Sequence, residues 1–167
     1  PQWRLPAHEF GQAVRRWVLM PDAESLMALA IFFDAHAVCG DPALLESVRS
    51  EVFRVFNDND AMLARFAAAI ESFETDTGWW NRIFSSDGAN SGLDLKKAGI
   101  FPIVHGVRSL ALEARLRQTN TVDRIEALVA AGRLPPEVAA DLVDSLHFFM
   151  GLKLKVGLDA IELGREN

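Results

Sequence analysis

Cysteine is almost absent from this chain. The single Cys39 among 167 residues excludes an internal disulfide and any metal site built from several thiolates, and it fits a reducing, cytoplasmic setting. Positive charge is also in deficit. Seventeen Lys and Arg against 23 Asp and Glu leave a net charge of −6, the opposite of what a surface for nucleic acid requires. No apolar run approaches the ~20 residues of a membrane span, and no signal peptide is visible. The common phosphate-binding and nucleophile signatures are missing: no Walker-type loop, no GxGxxG and no nucleophile elbow. Asp58-x-Asp60 has the spacing of a metal-binding carboxylate pair. It lies at a helix start and lacks the Gly-Ser turn that would meet a nucleotide's phosphates. An Arg-x(4–6)-His motif, found in some RNA-cleaving helical proteins, is matched only by Arg4-x-x-x-His8, one residue too short. The chain opens on Pro rather than Met, which is expected of a fragment of a longer protein.

What is present reads as an all-α bundle of six to seven helices in a single domain, residues 1–167. Half the residues are hydrophobic and a quarter charged, ordinary globular composition with enough length for a full core. The pattern predicts a first helix over His8–Met20, ended by Pro21. Asp22 caps a second that is apolar nearly all round and therefore central. Asp41 followed by Pro42 marks the cap and first position of a third, with Leu45, Val48, Val52, Val55 and Phe56 inward. The polar run after Phe56 is a turn, and Asn59 or Asp58 caps a fourth helix carrying Met62, Phe66, Ala69, Ile70 and Phe73 inward. Trp79 and Trp80 can stack on a base or anchor a core. Asp87-Gly88 is a turn signal, so residues 83–95 can pair as a short β-hairpin, the one stretch of expected β-structure.

The chain is organised around Leu93–Leu116. Ile103, Val104, Val107, Leu110, Ala111 and Ala114 fall on one face of a helix beginning near Pro102. His105 and Arg108 lie i,i+3 on another face and point the same way. Downstream, Thr121 is expected to cap the next helix and Gly132 to stop it. Pro135 and Pro136 start the last long helix, whose core side reads as Val138, Leu142, Leu146, Phe149 and Met150, with Leu154 joining them.

The stretch LDLKKAGIFPIVHGVRSLALEARL with the following TNTVDRIEAL, the block IFFDAHAVCGD at Ile31–Asp41, and the opening PQWRLPAHEFGQAVRRWV together resemble a bacterial family: the C-terminal substrate-binding domain of nucleotidyltransferase-like proteins. The family is similar to the uridylyltransferase-like proteins of nitrogen signalling, which also carry regulatory nucleotide-binding domains. The resemblance implies a non-catalytic helical domain that presents an acceptor to an upstream catalytic domain of the same protein. Magnesium and a nucleoside triphosphate would belong to that catalytic domain, and no cofactor to this chain. The family often has Arg at the position of His36, so the resemblance by itself gives His36 no phosphate-binding role.

Candidate substrate-binding residues are Asp34, His36, Lys96, Lys97, His105, Arg108 and Arg124. Lys96, Lys97, Arg108 and Arg124 suit phosphate or carboxylate, which a guanidinium grips in a forked geometry. Arg124 lies in the first turn of its helix, where an anion is favoured. His105 could orient a bound group, and Asp34 could meet a hydroxyl or pair with a basic residue. Each also has a structural reading: Lys96 and Lys97 as solvated loop charge, Arg108 in an ion pair, His105 as a satisfied core histidine, Asp34 and His36 as a core pair. Neither a catalytic nor a metal residue is assigned. Expected partners are the catalytic domain and a protein or small-molecule acceptor, with no nucleic acid and no membrane. A homodimer is also compatible with the sequence. The alternative function is a regulatory protein–protein interaction module with no small ligand.

Overall fold

The computed structural model describes residues 3–57, 59–75 and 99–164. Among these the chain forms seven helices and no strand: α1 (Ala7–Leu19), α2 (Ala23–Phe33), α3 (Pro42–Asn57), α4 (Asp60–Thr75), α5 (Phe101–Glu113), α6 (Thr121–Ala130) and α7 (Pro136–Glu162). The expected hairpin near residues 83–95, the Trp79–Trp80 pair, Lys96 and Lys97 lie outside the described residues, as do the side chains of Ile70 and Phe73. No helix among the described residues is long and apolar enough to cross a membrane.

Short polar side chains set most helix starts. Asp22 accepts from the Ser25 amide at 2.8 Å, Asp41 from Ala43 at 2.9 Å and Asn59 from Met62 at 2.9 Å. Each satisfies an amide that the helix itself leaves free. For α6 the expected cap is one residue off. Asn120, not Thr121, takes the position, and its carboxamide oxygen accepts from Val122 at 2.8 Å and Asp123 at 3.4 Å. Helices α5 and α6 end in the same way. Arg115 and Gly132 adopt left-handed φ values of 58° and 66°. The next amide then reaches back to the last turn, Leu116 to the Ala111 carbonyl and Arg133 to the Leu128 carbonyl, both at 2.8 Å. This closure favours glycine, as α6 has and α5 does not.

Two cores result, and α5 serves both. The first is aromatic. Phe32, Phe33, Phe53, Phe56 and Phe66 pack with Val14, Val18, Leu29 and Val52, and Leu112 of α5 reaches into it. The Phe33 ring meets those of Phe53, Phe56 and Phe66 edge-on at 5.3–5.9 Å, the favoured geometry for aromatic pairs. The second core is aliphatic. Val107 of α5 packs with Ile125, Leu128, Leu134 and Ala139. So the central stretch is central in space, joining the two cores through opposite sides of one helix. Leu110, expected on its buried face, is exposed.

The last helix departs from expectation. Leu146 is buried and Leu142 packs on the second core, and the Phe149 ring lies so close to Gly99 that a Cβ there would sit 2.6 Å from it. Val138, Met150 and Leu154, however, are exposed. Val138 faces away from Ala139 and Leu146. Met150 and Leu154 do continue their face, but α6 has only 10 residues against the 27 of α7. At 1.5 Å per residue that is about 15 Å against about 40 Å, so the core face of α7 runs on past the helix that covers it.

Candidate functional site

The first block of polar residues is built where α2 ends. Asp34 closes that helix, and three arginines from three other elements converge on residues 33–35. Arg108 of α5 grips the Asp34 carboxylate with two nitrogens, Nε to Oδ1 at 3.2 Å and Nη2 to Oδ2. Arg124 of α6 places Nη1 2.7 Å from Asp34 Oδ1. That contact is an ion pair without hydrogen-bond alignment, because Nη1 is left with no hydrogen bond. Its other nitrogens donate to main-chain carbonyls, Nε to Gln118 at 2.7 Å and Nη2 to Phe33 at 3.1 Å. Arg49 of α3 donates to the Ala35 carbonyl and faces Glu46 at 3.6 Å.

All three arginines are buried. Burial pushes the pKa of Arg124 and of Arg49 below the usual arginine value; at Arg124 the Asp34 carboxylate opposes the shift, while Arg108 and Arg49 add to it. A buried charge is tolerated only with a partner; Asp34 is shared by Arg108 and Arg124, and Arg49 has Glu46 and the Ala35 carbonyl. The Asp34 side chain keeps 37% exposure. The carboxylate is therefore held from inside and still touches solvent.

His105 completes the cluster. It is buried, and its Nε2 lies 2.7 Å from the Phe66 carbonyl. A carbonyl accepts, so Nε2 carries the proton and Nδ1 faces Arg108 Nη1 at 3.5 Å as acceptor. The ring stacks on Phe101 at 5.5 Å and packs on Phe66 at 4.7 Å. Burial lowers its pKa to about 4, with a further push from Arg108 and opposition from the Phe66 carbonyl and Asp34. It is neutral at neutral pH.

The structure thus brings together Asp34, His105, Arg108 and Arg124 from the sequence candidates. The i,i+3 pairing of His105 and Arg108 is as read. His36 is apart from them, exposed on the loop after α2 with Val38 and Cys39. Lys96 and Lys97 lie outside the described residues. Arg49 was missed. Its signal was a charge four residues after Leu45 and flanked by Val48 and Val52, on the apolar side of α3. With every arginine engaged by main chain or by Asp34, the cluster works as a clamp on the turn out of α2. No group of three or more His, Cys, Asp or Glu among the described residues could hold a metal.

The concavity lies elsewhere. A groove of about 1010 Å3 opens between the starts of α5 and α6 and the exposed length of α7. Val104, Val122, Leu146, Leu154, Leu158 and Ile161 give it apolar walls. Asn120, Thr121, His147 and Lys153 supply the polar edge. Apolar walls with a few polar groups are the usual make-up of a binding site.

Residues 60–167 match the family model described as "Putative nucleotidyltransferase substrate binding domain". The chain belongs to that family. The matched part runs from α4 to α7 and holds His105, Arg108, Arg124 and the whole groove. Asp34, Arg49 and the blocks Pro1–Val18 and Ile31–Asp41 precede it. Compared with curated proteins and with solved structures, the chain has no significant match.

Proposed function

We propose that residues 1–167 act as one non-catalytic domain that binds an acceptor and presents it to a catalytic nucleotidyltransferase domain of the same protein. Magnesium and the nucleoside triphosphate then belong to the catalytic domain. The observation that carries this reading is the groove along α7, large, apolar and edged by polar groups, within the part of the chain that matches the substrate-binding family. The Asp34 clamp supports the site from a distance. Arg108 and Arg124 tie α5 and α6, whose first turns line the groove, to the end of α2.

The test is a thermal-shift screen of the chain against nucleotides, sugar phosphates and anionic metabolites, with Leu154→Glu alongside. A probe at ~100 times its dissociation constant stabilises the fold by about 2.7 kcal/mol. The expected result is a hit that disappears in Leu154→Glu. A hit that persists in that variant would place binding outside the groove.

A second reading is favoured by one observation. Phe148, Met150, Leu154, Val156, Leu158 and Ile161 are all exposed on α7, more apolar surface on one helix than a free face usually carries. On this reading the chain is a protein-interaction module, and no small molecule in the screen binds.

A further inference from the structure

We infer that the groove along α7 takes an amphipathic helix with an acidic residue beside its apolar stripe, so that what this domain binds is a protein segment rather than a free metabolite. This inference rests on the groove being the binding site proposed above.

The apolar line Leu146, Met150, Leu154, Leu158 and Ile161 spans 15 residue steps, about 22 Å of helix at 1.5 Å each. A metabolite of ordinary size would touch one end of such a site. A helix of four turns would touch all of it.

Steps of 4, 4, 4 and 3 residues produce the ridge that a second helix packs against. The line is also the prolongation of a face already used this way. Ala139 and Val143 pack in the second core and Leu146 is buried; Met150, Leu154, Leu158 and Ile161 extend that side of the helix, with exposures of 52%, 64%, 52% and 66%. A stripe built for helix packing continues where α6 has ended. An amphipathic helix laid in such a groove is a common mode of peptide recognition.

Charge narrows the occupant further. Among the described residues lining the groove, Lys153 alone carries formal charge and His147 is the only other ionisable group. None of these residues is an acid, in a chain whose net charge is −6. Complementarity then asks for a carboxylate at the edge of the bound helix, and it disfavours a basic one.

The experiment uses two fluorescein-labelled synthetic helices of about 18 residues, long enough to cover the stripe. Both carry leucines at 3- and 4-residue spacing; one has glutamates flanking the leucines and the other lysines. Binding to the whole chain is followed by fluorescence anisotropy. The glutamate peptide is expected to bind about tenfold tighter than the lysine peptide. Lys153→Glu reverses that preference, and Leu154→Glu removes both binding curves while the helical circular dichroism is kept. Equal binding of the two peptides, a preference for lysine, or no binding overturns the inference. Sedimentation of the chain alone is the companion measurement. A dimer that Leu154→Glu breaks would make a second copy the occupant and would also overturn it. The two readings fail separately. A small anion that shifts the melting point through Leu154, with no peptide bound, keeps the substrate-binding domain and removes the helix. Peptide binding with no small-molecule hit keeps the helix and moves the domain to the interaction-module reading.

Discussion

The two ends of this molecule both carry long apolar faces and use them in opposite ways. The rings of Phe32, Phe33, Phe53, Phe56 and Phe66 are closed in among α1 to α4 and Leu112 of α5. Along α7 beyond Leu146, no residue is buried. The difference lies in what each helix has beside it. The helices of the first core are of similar length, 11 to 16 residues, so their apolar faces cover one another. Among the described residues α7 is the longest helix, and its far half runs past the helices beside it. Apolar surface without a neighbour is costly to keep in water, and such a patch marks an interaction site. One end is spent on stability and the other is left for binding.

The sharpest way to break this comparison is to cut a large side chain at each end. Phe66→Ala removes a fully buried ring between Phe33, Phe56 and His105. It is expected to cost about 3–5 kcal/mol, the range for a buried Phe whose site cannot collapse. Leu158→Ala, half-exposed on α7, is expected to cost under about 0.5 kcal/mol. Urea denaturation of both variants measures the contrast. Equal losses would mean that the far half of α7 is part of the core.

This division also marks where sequence reading succeeds and where it stops. The caps at Asp22, Asp41 and Asn59 and the stop at Gly132 are local chemistry, complete within a few residues, and they are where the pattern places them. Asn120 and Thr121 are both good caps, so adjacent residues compete and local rules cannot choose between them. The His105–Arg108 pair was legible because a helix fixes i,i+3 neighbours. Its partner Asp34 is 74 residues away from Arg108, and only the tertiary fold brings them together. The exposed half of α7 was hidden for a related reason. Met150 and Leu154 have the spacing of a core face, and the spacing is real. Whether a face is covered depends on how far the neighbouring helix extends, which its own residues do not encode.

The joint between the two ends has its own signature, in pH. His105 is buried against Phe66 and beside Arg108, and its pKa falls from 6.5 to about 4 on folding. The unfolded chain therefore binds a proton between pH 6.5 and 4 that the folded chain refuses. Stability is full above about pH 6.5 and is lost as the pH falls towards 4. A shift of this size corresponds to roughly 3 kcal/mol. Urea titrations at several pH values should show that slope. His105→Gln keeps a donor for the Phe66 carbonyl and removes the proton site, so its profile should be flatter over the same window. An unchanged slope in the variant would assign the proton uptake elsewhere.

A smaller effect than that of His105 is expected from the turn that carries the chain from one core to the other. Arg115 follows α5 with φ at 58°, a left-handed conformation that puts its Cβ close to its own carbonyl. Gly132 makes the same turn after α6 without that contact. Both turns close with a 2.8 Å bond back to the last turn of helix, so the geometry is kept whichever residue occupies it. Arg115 is exposed, and its replacement leaves both cores intact. Arg115→Gly is therefore expected to raise stability by about 1 kcal/mol, relief of the left-handed strain offset in part by the greater freedom of glycine in the unfolded chain. Gly132→Ala should lower stability by a similar amount. If both changes destabilise, Arg115 holds its turn through contacts of its side chain rather than despite them. The crossing between the cores would then be fixed by that residue as well as by the backbone bond.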